Sequence, residues 1–186
     1  SEDLVKREIS GIARSLRQTY LATEGNEKFV MKGDNLYKGN TMLSGNYKLV
    51  DQLKDEQDVE VSLFFGDVRE VTTLKDESGK REINTKMSSE VYDTLKKGEE
   101  YFATNVDVLG TDYYGYYVPV YQPGTKEFAG SVFCGRTQTQ VTQSLRNTVI
   151  SMAAVMLVIF LAAFIIVLFM VKRIVKSIDG AVSNLG

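Results

Sequence analysis

The side chains best suited to chemistry in this sequence are phenols and guanidinium groups. Five of the ten tyrosines lie in one stretch, VLGTDYYGYYVPVY, residues 108–121. Side chains on a strand alternate between two faces. The stretch therefore divides into an odd-numbered set, Tyr113, Gly115, Tyr117, Pro119 and Tyr121, and an even-numbered set, Tyr114, Tyr116, Val118 and Val120. Both sets contain phenols, which predicts that both faces of the strand are covered.

The tyrosine hydroxyls are the groups in this stretch that could bind a ligand. A buried hydroxyl needs a hydrogen-bond partner. Packing against the sheet explains most of these rings, and a small ligand with oxygen atoms could supply partners for two or three hydroxyls. Gly115 is a position where a ligand could approach the backbone closely. We assign Tyr114 and Tyr116, together with Arg69, to a ligand pocket.

Arg69 lies in the segment GDVREVTTL, among apolar neighbours. A desolvated guanidinium without an anionic partner is costly. The sequence leaves two partners open: a structural carboxylate, Asp67 included, or a ligand carboxylate held by two parallel hydrogen bonds. Arg81, in the loop after this strand, also has two interpretations. It is either solvated or part of a loop that closes over an anion.

The composition excludes several kinds of active site. The chain has no histidine and one cysteine, so Ser-His and Cys-His nucleophile systems, disulfides and zinc clusters of thiolates are excluded. Cys134, in the apolar run SVFCG, is interpreted as a small buried hydrophobic residue. No phosphate-binding, calcium-binding or dinucleotide-binding glycine motif is present. We expect no catalytic residues, no metal and no cofactor.

The elements that position these residues follow from hydrophobic periodicity. Residues 2–24 predict an amphipathic helix with its apolar residues three and four positions apart. Its apolar stripe either packs on the sheet alone or also pairs two subunits. A short helix is expected at 47–57 and another at 88–97, with Ser88 or Ser89 as N-cap. Strands are predicted at 60–65, 68–74, 101–109, 111–121 and 128–136. The predicted fold is α+β and PAS-like, with a long N-terminal helix packed on an antiparallel sheet of about five strands.

A membrane-spanning segment follows this domain. Residues 149–171 are apolar except for Ser151, and no charge lies between Arg146 and Lys172. Twenty-three helical residues extend about 35 Å, enough for a hydrocarbon core of about 30 Å. A buried core helix is the alternative, but such helices rarely stay apolar on every face over six turns. Residues 136–148 contain no proline or glycine, which predicts a rigid helix leading into the membrane.

The flanking charges predict the orientation. Lys172, Arg173 and Lys176 follow the span, whereas Arg146 stands alone before it, so the C-terminus is expected in the cytoplasm. Residues 1–146 are then extracytoplasmic. They carry 19 basic and 23 acidic residues, because three of the 22 basic residues and one of the 24 acidic residues lie beyond the helix. An excess of acid argues against a nucleic-acid partner.

A family resemblance covers most of the first 146 residues. The ordered runs are DNLYKGN (34–40), KLVDQLK (48–54), VSLFFGDVREVTTL (61–74), GKREINT (79–85), KKGEEYFATNVDVLGTDYYGYYVPVY (96–121) and FAGSVFCG (128–135). Together they resemble the single Cache domains of bacterial methyl-accepting chemotaxis proteins. The segment VKRIVKSIDGAVSNLG after the membrane resembles the start of a HAMP linker, with Ser177 where that family usually has proline.

The resemblance implies a non-enzymatic, homodimeric receptor in the cell membrane. It implies domains at 1–145 (sensor), 146–171 (membrane helix) and 172–186 (start of HAMP), with another membrane helix upstream and a signalling output downstream. The ligand is expected to be a short carboxylate such as acetate, lactate or pyruvate, and the output to contact cytoplasmic signalling proteins. Our candidate ligand-binding residues are Arg69, Thr72, Arg81, Tyr114, Tyr116 and Tyr117. A histidine kinase or cyclic-nucleotide enzyme output, and a protein-binding adhesion module, are the alternatives.

Overall fold

The computed structural model describes residues 2–186, which form two compact units, residues 2–141 and residues 142–186. The first unit contains most of the elements. Its helices are α1 (Glu2–Ala22), α2 (Lys48–Gln57) and α3 (Ser89–Lys96), and its strands are β1 (Phe29–Lys32), β2 (Asn35–Lys38), β3 (Thr41–Met42), β4 (Glu60–Phe65), β5 (Val68–Thr72), β6 (Tyr101–Val108), β7 (Thr111–Tyr121) and β8 (Phe128–Thr137). The last helix, α4 (Gln138–Ser183), begins directly after β8.

Five strands form the main sheet, in the order β5-β4-β8-β7-β6, and every pair is antiparallel. The prediction of an α+β fold with a long N-terminal helix and a five-stranded antiparallel sheet is confirmed. A bulge interrupts the β4–β5 pair, because Leu63 is opposite Val71 whereas Phe64 is opposite Arg69. Glu70 is the extra residue. The bulge therefore places Arg69 and Val71 on opposite faces of the sheet, although simple alternation would place them on the same face.

Each face of the sheet is covered by a different part of the chain, as the two tyrosine sets of β7 predicted. The apolar stripe of α1 packs against β7 and β8, with Ile9 and Ala13 fully buried. The opposite face carries a second cluster, in which Leu95 of α3 packs near Tyr117 and Phe133. Cys134 is fully buried, as expected for a small hydrophobic residue.

The α3 helix begins where its sequence predicted. Ser88 has an extended backbone, and its side-chain oxygen accepts a hydrogen bond from the Val91 backbone N–H, which is the geometry of an N-cap. Gly98 follows the helix with a positive φ of 86°, a conformation that glycine adopts readily.

A second, three-stranded sheet was not predicted. Strands β1, β2 and β3 pair in order, and this sheet is fixed to the end of α1 by Lys38. The Lys38 ammonium is fully buried and donates hydrogen bonds to the backbone carbonyls of Leu21, Thr23 and Gly25. The carbonyls at the C-terminal end of a helix lack partners within the helix, so a cation there is stabilising.

Within residues 2–186, one helix is long and apolar enough to cross a membrane. It is α4, which contains the predicted apolar span 149–171.

Candidate functional site

A cavity of about 510 Å³ lies on the α3 side of the main sheet. Its walls come from β5, β6, β7, the start of α3 and the loop that precedes α3. The lining residues are Arg69, Glu82, Thr85, Lys86, Met87, Ser88, Glu90, Val91, Tyr101, Ala103, Asn105, Val106, Asp107, Val108, Leu109 and Tyr117. Ligand pockets in proteins measure roughly 300–1,000 Å³. The cavity has room for a metabolite larger than acetate.

Arg69 is the buried cation of this cavity. Only 7% of the residue is exposed, and its guanidinium stacks over the Phe64 ring at 4.9 Å. Its Nη1 donates to Thr85 Oγ1 at 2.5 Å. Among residues 2–186, its Nε is the sole buried side-chain nitrogen or oxygen without a hydrogen-bond partner, and no carboxylate lies within ion-pair distance of the guanidinium. A buried guanidinium with free donors is suited to bind an anion.

The backbone of the loop between β5 and α3 holds Arg69 in place. The Arg69 N–H donates to Thr85 O at 2.8 Å, and its carbonyl accepts from Asn84 N at 2.7 Å. Thr85 Oγ1, which accepts from the guanidinium, also donates to Glu82 O at 3.2 Å. Loop residues 82–85 thus pair with the β5 backbone and place the Thr85 hydroxyl beside the guanidinium.

Tyr117 is the phenol that shares the cavity with Arg69. It is 4% exposed, and its hydroxyl has no hydrogen-bond partner in the described part of the chain. Burial raises the pKa of Tyr117 to about 12, and the nearby Arg69 acts in the opposite direction. Burial lowers the pKa of Arg69, while Tyr117 and Glu82 oppose that change. The two residues therefore present a cation and a neutral hydroxyl donor to the same space.

Carboxylates lie around the same cavity. Glu90 Oε1 accepts from the Tyr101 hydroxyl at 3.1 Å, and Asp107 Oδ1 accepts from the Gly110 N–H at 2.8 Å. The half-buried Glu82 side chain has no hydrogen bond or ion pair within residues 2–186. Lys86 is the second cation of the lining, and it lies 3.8 Å from Asp67 with 67% of its side chain exposed.

Arg69 and Tyr117 are the two predicted ligand-binding residues that the structure brings together. Thr72 is on the same face of the sheet as Arg69, but it does not belong to the cavity lining. Its hydroxyl forms a 2.7 Å hydrogen bond with Ser62 Oγ. Arg81 lies elsewhere. It forms two 2.7 Å hydrogen bonds with the Asp51 carboxylate and stacks on Tyr47 at 3.8 Å. A ligand carboxylate is therefore not needed to neutralise Arg81.

The grouping of Tyr114 and Tyr116 with Arg69 is not supported by the geometry. Both tyrosines belong to the even-numbered set of β7, which faces α1. The Tyr116 hydroxyl donates to Glu100 Oε2 at 2.5 Å and accepts from Arg14 Nη2 at 3.3 Å, so its hydrogen-bonding needs are met within the protein. Tyr114 stacks on Phe102 with a ring separation of 6.5 Å.

The expectation that a ligand approaches the backbone at Gly115 is wrong. A Cβ at this position would lie 2.7 Å from Phe133 Cε2 and 2.9 Å from Val106 Cγ2. A Cβ at Gly135, which pairs with Gly115, would lie 2.5 Å from Phe133 Cζ. The two glycines therefore make room for the Phe133 ring, and that ring occupies the space beside the backbone.

Sequence reasoning did not include most of the cavity lining. Glu82, Glu90 and Tyr101 each belong to a segment that reads as a solvated loop, helix start or ordinary strand. Glu90 follows the N-cap Ser88 by two positions, where an acidic residue is explained by the helix dipole alone. The signal that could have found these residues is their proximity to Arg69, which depends on tertiary structure.

Comparison with known families identifies the family that shares this architecture. Residues 40–148, more than half of the chain, match the family model described as single cache domain 3. The chain belongs to the single cache domain 3 family. The resemblance seen in the sequence is therefore confirmed at the level of the Cache domain. No curated protein sequence matches the chain.

A solved structure supports the Cache fold independently. The crystal structure of the E. coli DcuS sensor domain aligns with a TM-score of 0.54 and 18% sequence identity, over 78% of this chain and 97% of that domain. At this identity the similarity establishes the fold, the PAS-like α+β arrangement that the sequence predicted. The chain thus contains a single Cache domain, and it also contains a helix long and apolar enough to cross a membrane.

Proposed function

We propose that this chain is the extracytoplasmic input of a transmembrane receptor, and that its Cache domain binds a small metabolite through a carboxylate held by Arg69. The observation that carries the proposal is the buried Arg69 guanidinium, whose Nε has no hydrogen-bond partner, in the lining of a cavity of about 510 Å³. A carboxylate can accept two parallel hydrogen bonds from a guanidinium, and it would also remove the cost of an unpaired buried charge.

Tyr117 has a supporting role in this proposal. Its free hydroxyl lies in the same cavity and can donate to a second oxygen of the ligand. A ligand of about six heavy atoms gains at most about 9 kcal/mol at roughly 1.5 kcal/mol per atom, so we expect dissociation constants in the micromolar to millimolar range. Such affinities suit a reversible sensor. The Cache domain is proposed to act by binding alone, without turnover.

Signal transmission is proposed to pass along β7 and β8 into α4. Tyr117 is opposite Phe133 in the β7–β8 register, and β8 ends at Thr137, one residue before α4 begins. A ligand that favours one of two arrangements of the sheet would change the position of the β8 end. Differential binding of a few kcal/mol is enough to shift such an equilibrium substantially.

The membrane topology and the output belong to the same proposal. Lys172, Arg173 and Lys176 follow the apolar span, which supports our proposal that the C-terminal end of α4 lies in the cytoplasm. We propose a homodimer whose segment 172–186 starts a HAMP-like linker. The output is proposed to be a chemotaxis signalling domain, with a histidine kinase or a cyclic-nucleotide enzyme as the alternative.

A ligand screen tests this proposal. The full chain in lipid nanodiscs is mixed with a panel of monocarboxylates, dicarboxylates, 2-hydroxy acids and amino acids, and thermal unfolding is recorded. We expect at least one carboxylate to raise the melting temperature of the wild type and of the control variant Arg7→Met, whose side chain is exposed on α1. The same compound should have no effect on Arg69→Met. No stabilisation by any carboxylate, or equal stabilisation of Arg69→Met, would refute the proposal.

A further inference from the structure

The charges around the cavity identify a class of ligand within the proposed function. The lining contains two cations, Arg69 and Lys86, and three carboxylates, Glu82, Glu90 and Asp107. The Lys86 side chain is largely exposed, and its ammonium group lies near the carboxylate of Asp67, a residue that does not belong to the lining. Once a ligand carboxylate has neutralised Arg69, the remaining lining is acidic, which disfavours a second anionic group and favours a cation.

The three carboxylates are not equally available. Asp107 caps the turn before Gly110, and Glu90 already accepts from the Tyr101 hydroxyl. Glu82 has no side-chain partner within residues 2–186, is half-buried, and interacts electrostatically with Arg69. It is therefore the carboxylate in the lining that is free to bind a cationic group located close to the guanidinium.

A metal ion is a poorer match for this arrangement than an organic cation. No group of three or more acidic, cysteine or histidine side chains in residues 2–186 converges closely enough to hold a metal ion. An ammonium group needs one carboxylate and a few neutral acceptors, and it forms hydrogen bonds in three directions. Asn105 of β6 also belongs to the lining.

We infer that the ligand is a zwitterion of the amino-acid class, with its carboxylate on Arg69 and its ammonium group on Glu82. This inference rests on the proposed function, because it requires the same anion site. Two observations carry it: the buried Arg69, 7% exposed as a residue and with an unpartnered Nε, and the Glu82 carboxylate in the same lining, which has no hydrogen bond or ion pair within residues 2–186. Simple monocarboxylates can pair with Arg69, but they leave Glu82 without a partner. Dicarboxylates bring a second negative charge toward it.

Matched pairs of ligands test the inference. The twenty common L-amino acids are titrated by calorimetry into the full chain in nanodiscs, followed by the 2-hydroxy acid and the dicarboxylate that correspond to the tightest binder. We expect the amino acid to bind at least about tenfold more tightly than its 2-hydroxy counterpart, the typical contribution of a hydrogen bond to a charged group. Arg69→Met should abolish binding.

Variants of Glu82 provide the second part of the test. Glu82→Gln should weaken binding of the amino acid by about tenfold, because the variant removes the charge that pairs with the ammonium group. It should not weaken binding of the 2-hydroxy acid, which has no ammonium group. Glu77→Gln, an exposed acidic residue outside the cavity lining, is the control and should change neither affinity. If Glu82→Gln strengthens both ligands, Glu82 is an internal counter-ion of Arg69 and the inference is overturned.

The outcomes separate this inference from the proposed function. The zwitterion inference is overturned if a 2-hydroxy acid or a dicarboxylate binds as tightly as the amino acid. If Arg69→Met also abolishes that binding, the proposed carboxylate sensor is still supported. No binding by any amino acid overturns the zwitterion, and the proposed function is overturned as well only if no monocarboxylate, dicarboxylate or 2-hydroxy acid of the ligand screen binds.

Discussion

Arg136 Nη1 donates to Glu8 Oε2 at 2.5 Å and so joins the end of β8 to the first turns of α1. The same guanidinium donates to the carbonyl oxygens of Gln57 at 2.8 Å and Asp58 at 3.3 Å, at the C-terminal end of α2. One side chain thus connects three elements two residues before α4 begins. This cluster lies on the route by which we propose that the ligand signal leaves the Cache domain.

We predict that Arg136→Ala lowers the stability of the Cache domain by about 1–2 kcal/mol, because two helix-end carbonyls lose their donor. Glu8→Gln should cost less, since the Glu8 side chain is 45% exposed and exposed ion pairs contribute little. Thermal unfolding of both variants in nanodiscs measures the difference. A loss in Glu8→Gln as large as that in Arg136→Ala would mean that the ion pair, and not the carbonyl contacts, carries the stability.

Lys38 is predicted to be essential for the small sheet. Lys38→Met should destabilise the fold by about 2–4 kcal/mol, because it removes the buried ammonium that donates to three backbone carbonyls at and just after the end of α1. Lys126→Met, at an exposed position, is the control and should change the unfolding free energy by less than about 0.5 kcal/mol. Chemical denaturation monitored by circular dichroism gives both values. Equal stability of Lys38→Met and the control would contradict the structural role of the buried ammonium.

The stability of the Cache domain should fall at acidic pH, partly because the Glu100 carboxylate becomes protonated. Hydrogen bonds from Arg14 and Tyr116 hold the pKa of the Glu100 carboxyl below its usual value of 4.5 in the folded protein. A group with a lowered folded pKa contributes stability above its unfolded pKa, and the contribution disappears as the pH falls through the folded value. Asp51, whose pKa is lowered by Arg81, adds a second contribution of the same sign.

The measurement compares melting temperatures of the wild type and Glu100→Gln from a pH of about 6 to about 3. We predict that the wild type is the more stable protein at the upper end and that the gap narrows as the carboxyl becomes protonated. A constant gap across this range would show that the Glu100 charge does not contribute to the stability.

Much of the fold could be predicted from periodicity, because its larger elements bury continuous apolar stripes. The α1 stripe and the five main strands are of this kind, and their observed bounds differ from the predicted ones by two residues or fewer. The sheet of β1, β2 and β3 was missed because its strands are two to four residues long. Lys38 was missed as well, because a lysine in a polar stretch indicates a solvated surface.

The site was harder to predict than the fold. Alternation correctly divided the β7 tyrosines between two faces, but it could not assign Arg69 to either face, since the bulge at Glu70 reverses the alternation between Arg69 and Val71. The pairing of Arg81 with Asp51, thirty positions apart, is a tertiary contact without a local signal. For these reasons the sequence grouped Tyr114, Tyr116 and Tyr117 with Arg69, whereas the structure brings only Tyr117 of these three into the same cavity lining.

The central claim is that Arg69 is kept buried and unpaired for a ligand. The most direct test is the melting temperature of Arg69→Met against the wild type, without ligand and with the carboxylate found by the screen. We predict that the ligand-free variant melts at the same or a higher temperature, because an uncompensated buried charge has been removed, and that its ligand-induced shift is lost. A ligand-free decrease of more than about 5 °C, together with a retained ligand-induced shift, would identify Arg69 as a structural residue and contradict the account.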